Sequence, residues 1–322
     1  MESKNKDKIF LEASKDISLL ISEVSKKIVG QKNMIRDIIV ATLCKGHILL
    51  EGAPGLAKTQ SVNSISEVLN LKFKRIQFTP DLLPSDLIGA KIYNPDTREF
   101  SVRKGPVFSN LVLADEINRA PSKVQSALLE SMEERQVTLG DGTFVLDSPF
   151  VVLATQNPIE QEGTYKLPEA QLDRFLLKTI VSYPSPEEEI DIMKGNTSFG
   201  AIKLNKILTK KKVLELQKLV TEVYVDDHIY EYVRDIIIFT RENDKIKKYL
   251  SYGASPRASI SLIKASKALA VINGRDHVIP EDIKEMAKPV LRHRVILSYE
   301  SIADEVEVDD IIQVILDTVE II

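Results

Sequence analysis

The stretch Gly52-Ala53-Pro54-Gly55-Leu56-Ala57-Lys58-Thr59 places glycines, a lysine and a hydroxyl in the order that phosphate chemistry requires. Backbone amides must come close to phosphate oxygens, which favours glycine, and a lysine must reach the β- and γ-phosphates. Lys58 is that lysine, Thr59 offers a hydroxyl to Mg²⁺, and Gln60 continues the loop into the next helix. The strict GxxxxGK(S/T) pattern breaks at Ala57, where glycine is expected. Alanine is harmless there if its backbone angles are helical. Downstream, Leu111-Val112-Leu113-Ala114 runs into two carboxylates, Asp115 and Glu116. Ligands of open α/β sheets bind at this carboxyl end of a strand. Asp115 is placed to hold Mg²⁺ through water, and Glu116 to orient and deprotonate an attacking water. Taken singly, the loop is a strand-turn-helix and the acids are a surface strand end; in one sheet they read as a nucleotide site.

The elements that must position these groups are legible as periodicity. His47 to Leu50 is a short apolar run before the glycine loop, and helical spacing resumes through Leu69. Further strand candidates are Phe73 to Phe78, Leu111 to Ala114 and Phe150 to Thr155, separated by helical or irregular sequence, as in a mostly parallel sheet flanked by helices. Two hairpins are predicted: Ala90 to Tyr93 with Arg98 to Arg103 around Asn94-Pro95-Asp96-Thr97, and Gln136 to Leu139 with Thr143 to Leu146 around Gly140-Asp141-Gly142. Asp7 to Val29 reads as an amphipathic helix. After Tyr183-Pro184-Ser185-Pro186 the strand signals stop, and Glu187-Glu188-Glu189 behind Pro186 fits a helix start. The expected division is an α/β core over 1–184 and an all-helical domain over 185–322.

Composition bounds the function. Of 322 residues, 43% are hydrophobic and 28% charged, which excludes mostly disordered and collagen-like chains. Lys+Arg at 43 against Asp+Glu at 47 gives a net charge of -4, so no global basic field draws the chain to nucleic acid or anionic lipid. The single cysteine, Cys44, can make no internal disulfide and reads as a small buried hydrophobe in a reducing compartment. The first twenty residues carry no secretory h-region and no apolar run approaches a bilayer span, so a cytoplasmic location is expected. The four histidines have no metal-ligand spacing. The basic clusters Lys210-Lys211-Lys212 and Arg292-His293-Arg294 lack aromatic interleaving and read as solvated or interface faces.

The glycine loop, Asp115-Glu116-Ile117-Asn118-Arg119, Ala154-Thr155-Gln156-Asn157-Pro158 and Leu167 to Phe175 together resemble the MoxR family of AAA+ ATPases over nearly the whole chain. The resemblance implies a P-loop AAA+ three-layer α/β core with parallel strand order 5-1-4-3-2, an all-helical C-terminal lid and a homo-oligomeric ring, usually a hexamer. It implies ATP and Mg²⁺ as cofactors and ATP hydrolysis coupled to chaperone-like remodelling or maturation of protein partners, among them von Willebrand factor A domain proteins. By position, Val29, Gly30 and Gln31 lie near the adenine, Asn157 matches sensor 1, Arg174 the arginine finger and Arg257 sensor 2, in cis or in trans. Without the family, Asn157-Pro158 is a turn, Arg174 an ion pair with Asp173 or Glu169, and Arg257 a helix-start residue behind Pro256. An arginine finger of this kind contributes on the order of 10³ to 10⁵ in rate, far beyond a surface ion pair. An MCM-like nucleic-acid motor and a non-hydrolysing nucleotide switch are the alternatives; the acidic balance weighs against the first and the intact acids against the second.

Overall fold

The computed structural model describes residues 2–96, 98–158, 164–197 and 202–321. The chain runs α1 (Glu2–Ser25), α2 (Lys32–Leu43), β1 (Ile48–Glu51), α3 (Lys58–Val68), β2 (Phe73–Gln77), α4 (Pro84–Ile88), β3 (Gly89–Asn94), β4 (Glu99–Lys104) and β5 (Leu111–Asp115). A 3₁₀ turn, Ile117–Arg119, leads to α5 (Ser122–Glu134), β6 (Gln136–Leu139), β7 (Gly142–Val145), β8 (Val151–Gln156), α6 (Glu169–Leu172) and β9 (Leu177–Ile180). Both hairpins, β3–β4 and β6–β7, form as predicted, although Thr97 of the first turn lies outside the described residues.

The central sheet has the order β2-β5-β8-β1-β9 and is parallel throughout, which is the expected 5-1-4-3-2 when only core strands are numbered. Its apolar runs lack polar alternation because both faces are covered. Leu111 and Leu113, Val151 and Leu153, and Ile48 and Leu50 face one hydrophobic cluster. The intervening Val112, Ala114, Val152, Ala154 and Leu49 face another. The fifth strand, β9, escaped the sequence reading; its four residues, Leu-Lys-Thr-Ile, are too few to show a period.

After Pro186 the chain forms α7 (Pro186–Thr197), α8 (Lys210–Thr221), α9 (Asp227–Glu242), α10 (Asp244–Lys247), β10 (Leu250–Tyr252), α11 (Pro256–Ile272), α12 (Pro280–Leu291), β11 (Ile296–Leu297), α13 (Tyr299–Ala303) and α14 (Val308–Thr318). This part is helical apart from the short β10–β11 ribbon. Helix α1 ties it to the core: Phe10, Ala13, Ile17, Leu20 and Val24 are buried, and Ser14 Oγ donates to the Ile272 carbonyl at 2.7 Å. At about 1.5–3 kcal/mol per large buried side chain, this stripe outweighs the exposed Lys8–Glu12 pair on the opposite face, worth at most about 1 kcal/mol.

The Arg292-His293-Arg294 cluster, for which the sequence predicts a solvated or interface face, has His293 and Arg294 buried. Arg294 is buried and donates to Asp173 Oδ1 at 2.7 Å and to the carbonyls of Phe175 and Val290 at 2.7 and 2.6 Å. His293 Nε2 meets the Phe175 carbonyl at 2.9 Å, and Arg292 pairs with Asp309. The sequence shows three adjacent bases; it does not show that the end of α12 packs onto the segment leading into β9. None of the described helices is long and apolar enough to cross a membrane.

Candidate active site

Parallel pairing delivers three strand ends to one place. The glycine loop leaves β1, Asp115 closes β5, and Asn157 follows β8, which lies between them. Level register, Leu50 with Thr155 and Ala114 with Ala154, puts the carboxyl ends side by side, and the Gly52 amide donates to the Gln156 carbonyl at 3.2 Å. Asn157 is buried at this junction.

Lys58 Nζ donates to the Gly52 carbonyl at 2.5 Å, so the ammonium lies folded across its own loop. Burial pushes its pKa below the usual lysine range, against the opposing pull of Asp115, Glu116 and Glu51. Thr59 Oγ1 stands 3.5 Å from Asp115 Oδ2. A hydroxyl and a carboxylate converging on one point are the hard oxygen donors Mg²⁺ prefers, so the residues present fit that ion. Ala57 adopts φ 56 and ψ 16, the left-handed region. The condition under which alanine is harmless is therefore not met, and the side chain costs about 1–2 kcal/mol of local strain.

Glu116 is also left-handed, at φ 58, and three contacts hold it. Its amide donates to Thr155 Oγ1 at 2.8 Å, Gln77 Nε2 donates to its Oε2 at 2.7 Å, and Arg119 pairs with the same oxygen at 3.2 Å. Thr155 in turn donates to Asp115 Oδ1 at 2.6 Å. Arg75, Gln77 and Thr155 were not among the expected site residues. The signal was available: β2 neighbours β5 in the expected strand order, and Arg75 and Gln77 alternate onto one face beside Leu113 and Asp115.

On the other side of the loop, Val29 and Gln31 line a cleft of ≈ 360 Å³ with Gly55, Leu56, Ala57 and Gln60. Gly30, at φ 70, packs where an added Cβ would meet the Glu188 carboxylate at 2.8 Å, and Gln31 Nε2 donates to the Ser182 carbonyl at 3.0 Å.

Arg174 and Arg257 lie elsewhere. Arg174 pairs with Glu133 Oε2 at 3.0 Å, not with Asp173 or Glu169, and Arg257 reaches Glu133 Oε1 at 3.4 Å and Asp173 Oδ2 at 3.8 Å. Arg174 comes three residues before Leu177, the first residue of β9, which pairs with Ile48, the first residue of β1, so it lies at the end of the sheet opposite Gly52.

Residues 47–177 match the family described as ATPase family associated with various cellular activities (AAA), and residues 243–315 match the AAA lid domain. Chaperone MoxR1 of Mycobacterium tuberculosis is 48% identical over 306 residues, covering 93% of this chain and 80% of the relative. The chain belongs to the MoxR family of AAA+ ATPases. Protein MoxR of Paracoccus denitrificans is 30% identical over 84% of this chain and 86% of its own length. A solved structure from Cytophaga hutchinsonii superposes with a TM-score of 0.93 at 49% identity, covering 100% of this MoxR-family chain and 99% of that one.

Cys44 and His47 are engaged by backbone groups outside this cluster. The Cys44 thiol donates to the Lys264 carbonyl at 3.1 Å, and burial pushes its pKa up to about 12. His47 Nδ1 accepts the Val152 amide at 2.9 Å, so Nε2 carries the proton toward the Met132 carbonyl at 3.1 Å. Among the described residues no group of His, Cys, Asp and Glu is arranged to hold a metal ion by itself.

Proposed function

We propose that this chain is a Mg²⁺-dependent ATPase working as a homo-oligomeric ring, with residues 1–184 as the nucleotide-binding core and 185–322 as the lid. One observation carries the reading. Arg174 of the core and Arg257 of the lid converge on Glu133, at the end of the sheet opposite their own P-loop. Two cations on one carboxylate at that end suit the phosphates held by a neighbouring subunit. This favours action in trans for both.

The amides of Gly52 to Thr59 cradle the phosphates, and Lys58 swings from the Gly52 carbonyl to the γ-phosphate. Thr59 and Asp115 would hold the Mg²⁺. When bound, that ion would supply neutralisation of the phosphate charge. Glu116, once released by Gln77 and Arg119, takes a proton from the attacking water while Asn157 fixes its position. Arg174 and Arg257 of the adjacent subunit then stabilise the charge that develops on the phosphoryl oxygens.

The output is remodelling or maturation of a protein client, a role that the name of the Mycobacterium relative supports, with von Willebrand factor A domain proteins as candidate partners. The hairpins suit that role. Tyr93 and Phe100 are exposed with ring centroids 5.2 Å apart, and Lys91 of β3 pairs with Asp141 of the second hairpin. Helix α5 leads from the turn behind Glu116 into that hairpin, so the acid and the client-facing loops share one rigid element.

Glu116→Gln tests the reading. ATP binding by calorimetry is retained and phosphate release falls at least about 10²-fold. Near-normal turnover would remove Glu116 from its role, and absence of binding heat from ATP with magnesium would overturn the whole assignment.

A further inference from the structure

A groove with a volume of ≈ 1040 Å³ lies away from the nucleotide, between α8, α9 and the first half of α11. Its chemistry is lopsided. Lys45, Arg135, Arg234, Arg241, Lys264 and Lys267 line it, and no acid does, in a chain whose net charge is -4. Arg234 is paired by its neighbour Asp235, Arg135 donates to the Lys45 carbonyl and Lys267 to the Thr221 carbonyl; among the described residues Lys264 and Lys267 have no carboxylate partner. Desolvation alone pushes the Lys267 ammonium below its usual pKa, the mark of a cation without a counter-charge. The floor is apolar, and Ile260 and Ile238 of that floor are 56% and 38% exposed. Such a surface calls for an acidic segment with apolar side chains.

The chain carries one. Over residues 186–194, α7 has Glu187, Glu188, Glu189 and Asp191 against a single lysine. Ile190 and Met193 are 47% and 56% exposed, one turn apart on the same face, with Glu187 and Glu189 flanking them. The location matches too. Asp191 and Ile192 of α7 line the cleft beside Gly55 and Ala57, so α7 borders the phosphate-binding half of the site. The groove borders the arginine half: it shares Lys45, Arg135, Ile260 and Lys264 with the cleft around Arg174 and Arg257. From Arg257 to Lys267 is ten residues of helix, or about 15 Å.

We propose that α7 of one subunit docks into the α8–α9–α11 groove of the next, Ile190 and Met193 on the apolar floor and the acids against Lys264 and Lys267. This inference rests on the ring with trans-acting arginines proposed above. The contact is heterologous, two different patches meeting head to tail, which is the arrangement that closes a ring.

Cys44 is the chain's only cysteine, so Cys44→Ser supplies a clean background for crosslinking. In it, an Ile190→Cys chain is mixed with an Ile260→Cys chain in magnesium and a non-hydrolysable ATP analogue, then treated with a short bismaleimide. The expected product is a covalent dimer from the mixture and none from either chain alone. Glu187→Lys with Asp191→Lys weakens assembly by about tenfold or more at low salt, and Lys264→Glu with Lys267→Glu restores it. Rings seen by sedimentation without the crosslink, or assembly indifferent to the charge reversal, overturn the docking while leaving the ring intact. Monomers at every concentration with nucleotide overturn the ring itself, and the docking with it.

Discussion

Arg75 donates twice to Asp115 Oδ2, at 2.6 and 2.9 Å, from the strand beside it. The guanidinium thus occupies the side of the carboxylate that Thr59 Oγ1 also faces at 3.5 Å. Charge balance at Asp115 is already met before any nucleotide arrives. Arg75→Ala therefore lowers the stability of the nucleotide-free protein by about 1 kcal/mol, given that Arg75 is half exposed and screened. With ATP and magnesium present the difference shrinks, because the ion then supplies the positive charge. Paired thermal melts check this, and an equal loss in both forms refutes it.

In the proposed ring, Arg174 and Arg257, which meet at Glu133 at the end of the sheet opposite their own P-loop, serve the site of the neighbouring subunit. Arg174→Ala and Arg257→Ala each lose about 10³-fold or more in turnover while binding ATP normally. Mixing Arg174→Ala with Glu116→Gln then restores phosphate release above that of either variant, since one subunit brings the acid and the other the arginine. Mixtures no better than the average of the two would place Arg174 in cis or remove it from catalysis.

Ala57 holds left-handed backbone without being glycine. Ala57→Gly relieves that strain and raises stability in urea by about 1 kcal/mol. Loss of stability on the same substitution would place residue 57 in right-handed helix.

Two buried histidines set an acid limit. Burial, aided by Arg135, pushes His47 down to about 3, and burial pushes His293 well below its ordinary value. Unfolded histidine titrates near 6.5, so between about pH 3 and 6.5 the unfolded chain binds the proton that folded His47 refuses. Stability is then level above pH 6.5 and falls below it, by about 1.4 kcal/mol per pH unit for each such group. Unfolding midpoints at pH 7.5 and 5.5 check the slope, and NMR titration of the His47 ring checks the cause. A ring that protonates near pH 6.5 in the folded protein sinks this account.

Much of the core was readable from residue order. The phosphate loop, the paired acids, both hairpins and four of the five core strands follow from local spacing, because glycine placement, apolar runs and turn residues act over a few neighbours. Strand order and the roles expected of Asn157, Arg174 and Arg257 came from resemblance, not from periodicity. Local pattern fails where partners are distant in the chain. Arg75 reaches Asp115 across 40 positions and Arg257 reaches Glu133 across 124. Whether Arg292-His293-Arg294 is surface or core is likewise decided by which segment packs on it. A backbone angle such as that of Ala57 depends on how the loop closes over the sheet edge. Short-range spacing selects the chemical groups; only the packed chain decides which of them share a site, and it is that packing which turns two of the arginines away from their own phosphate loop.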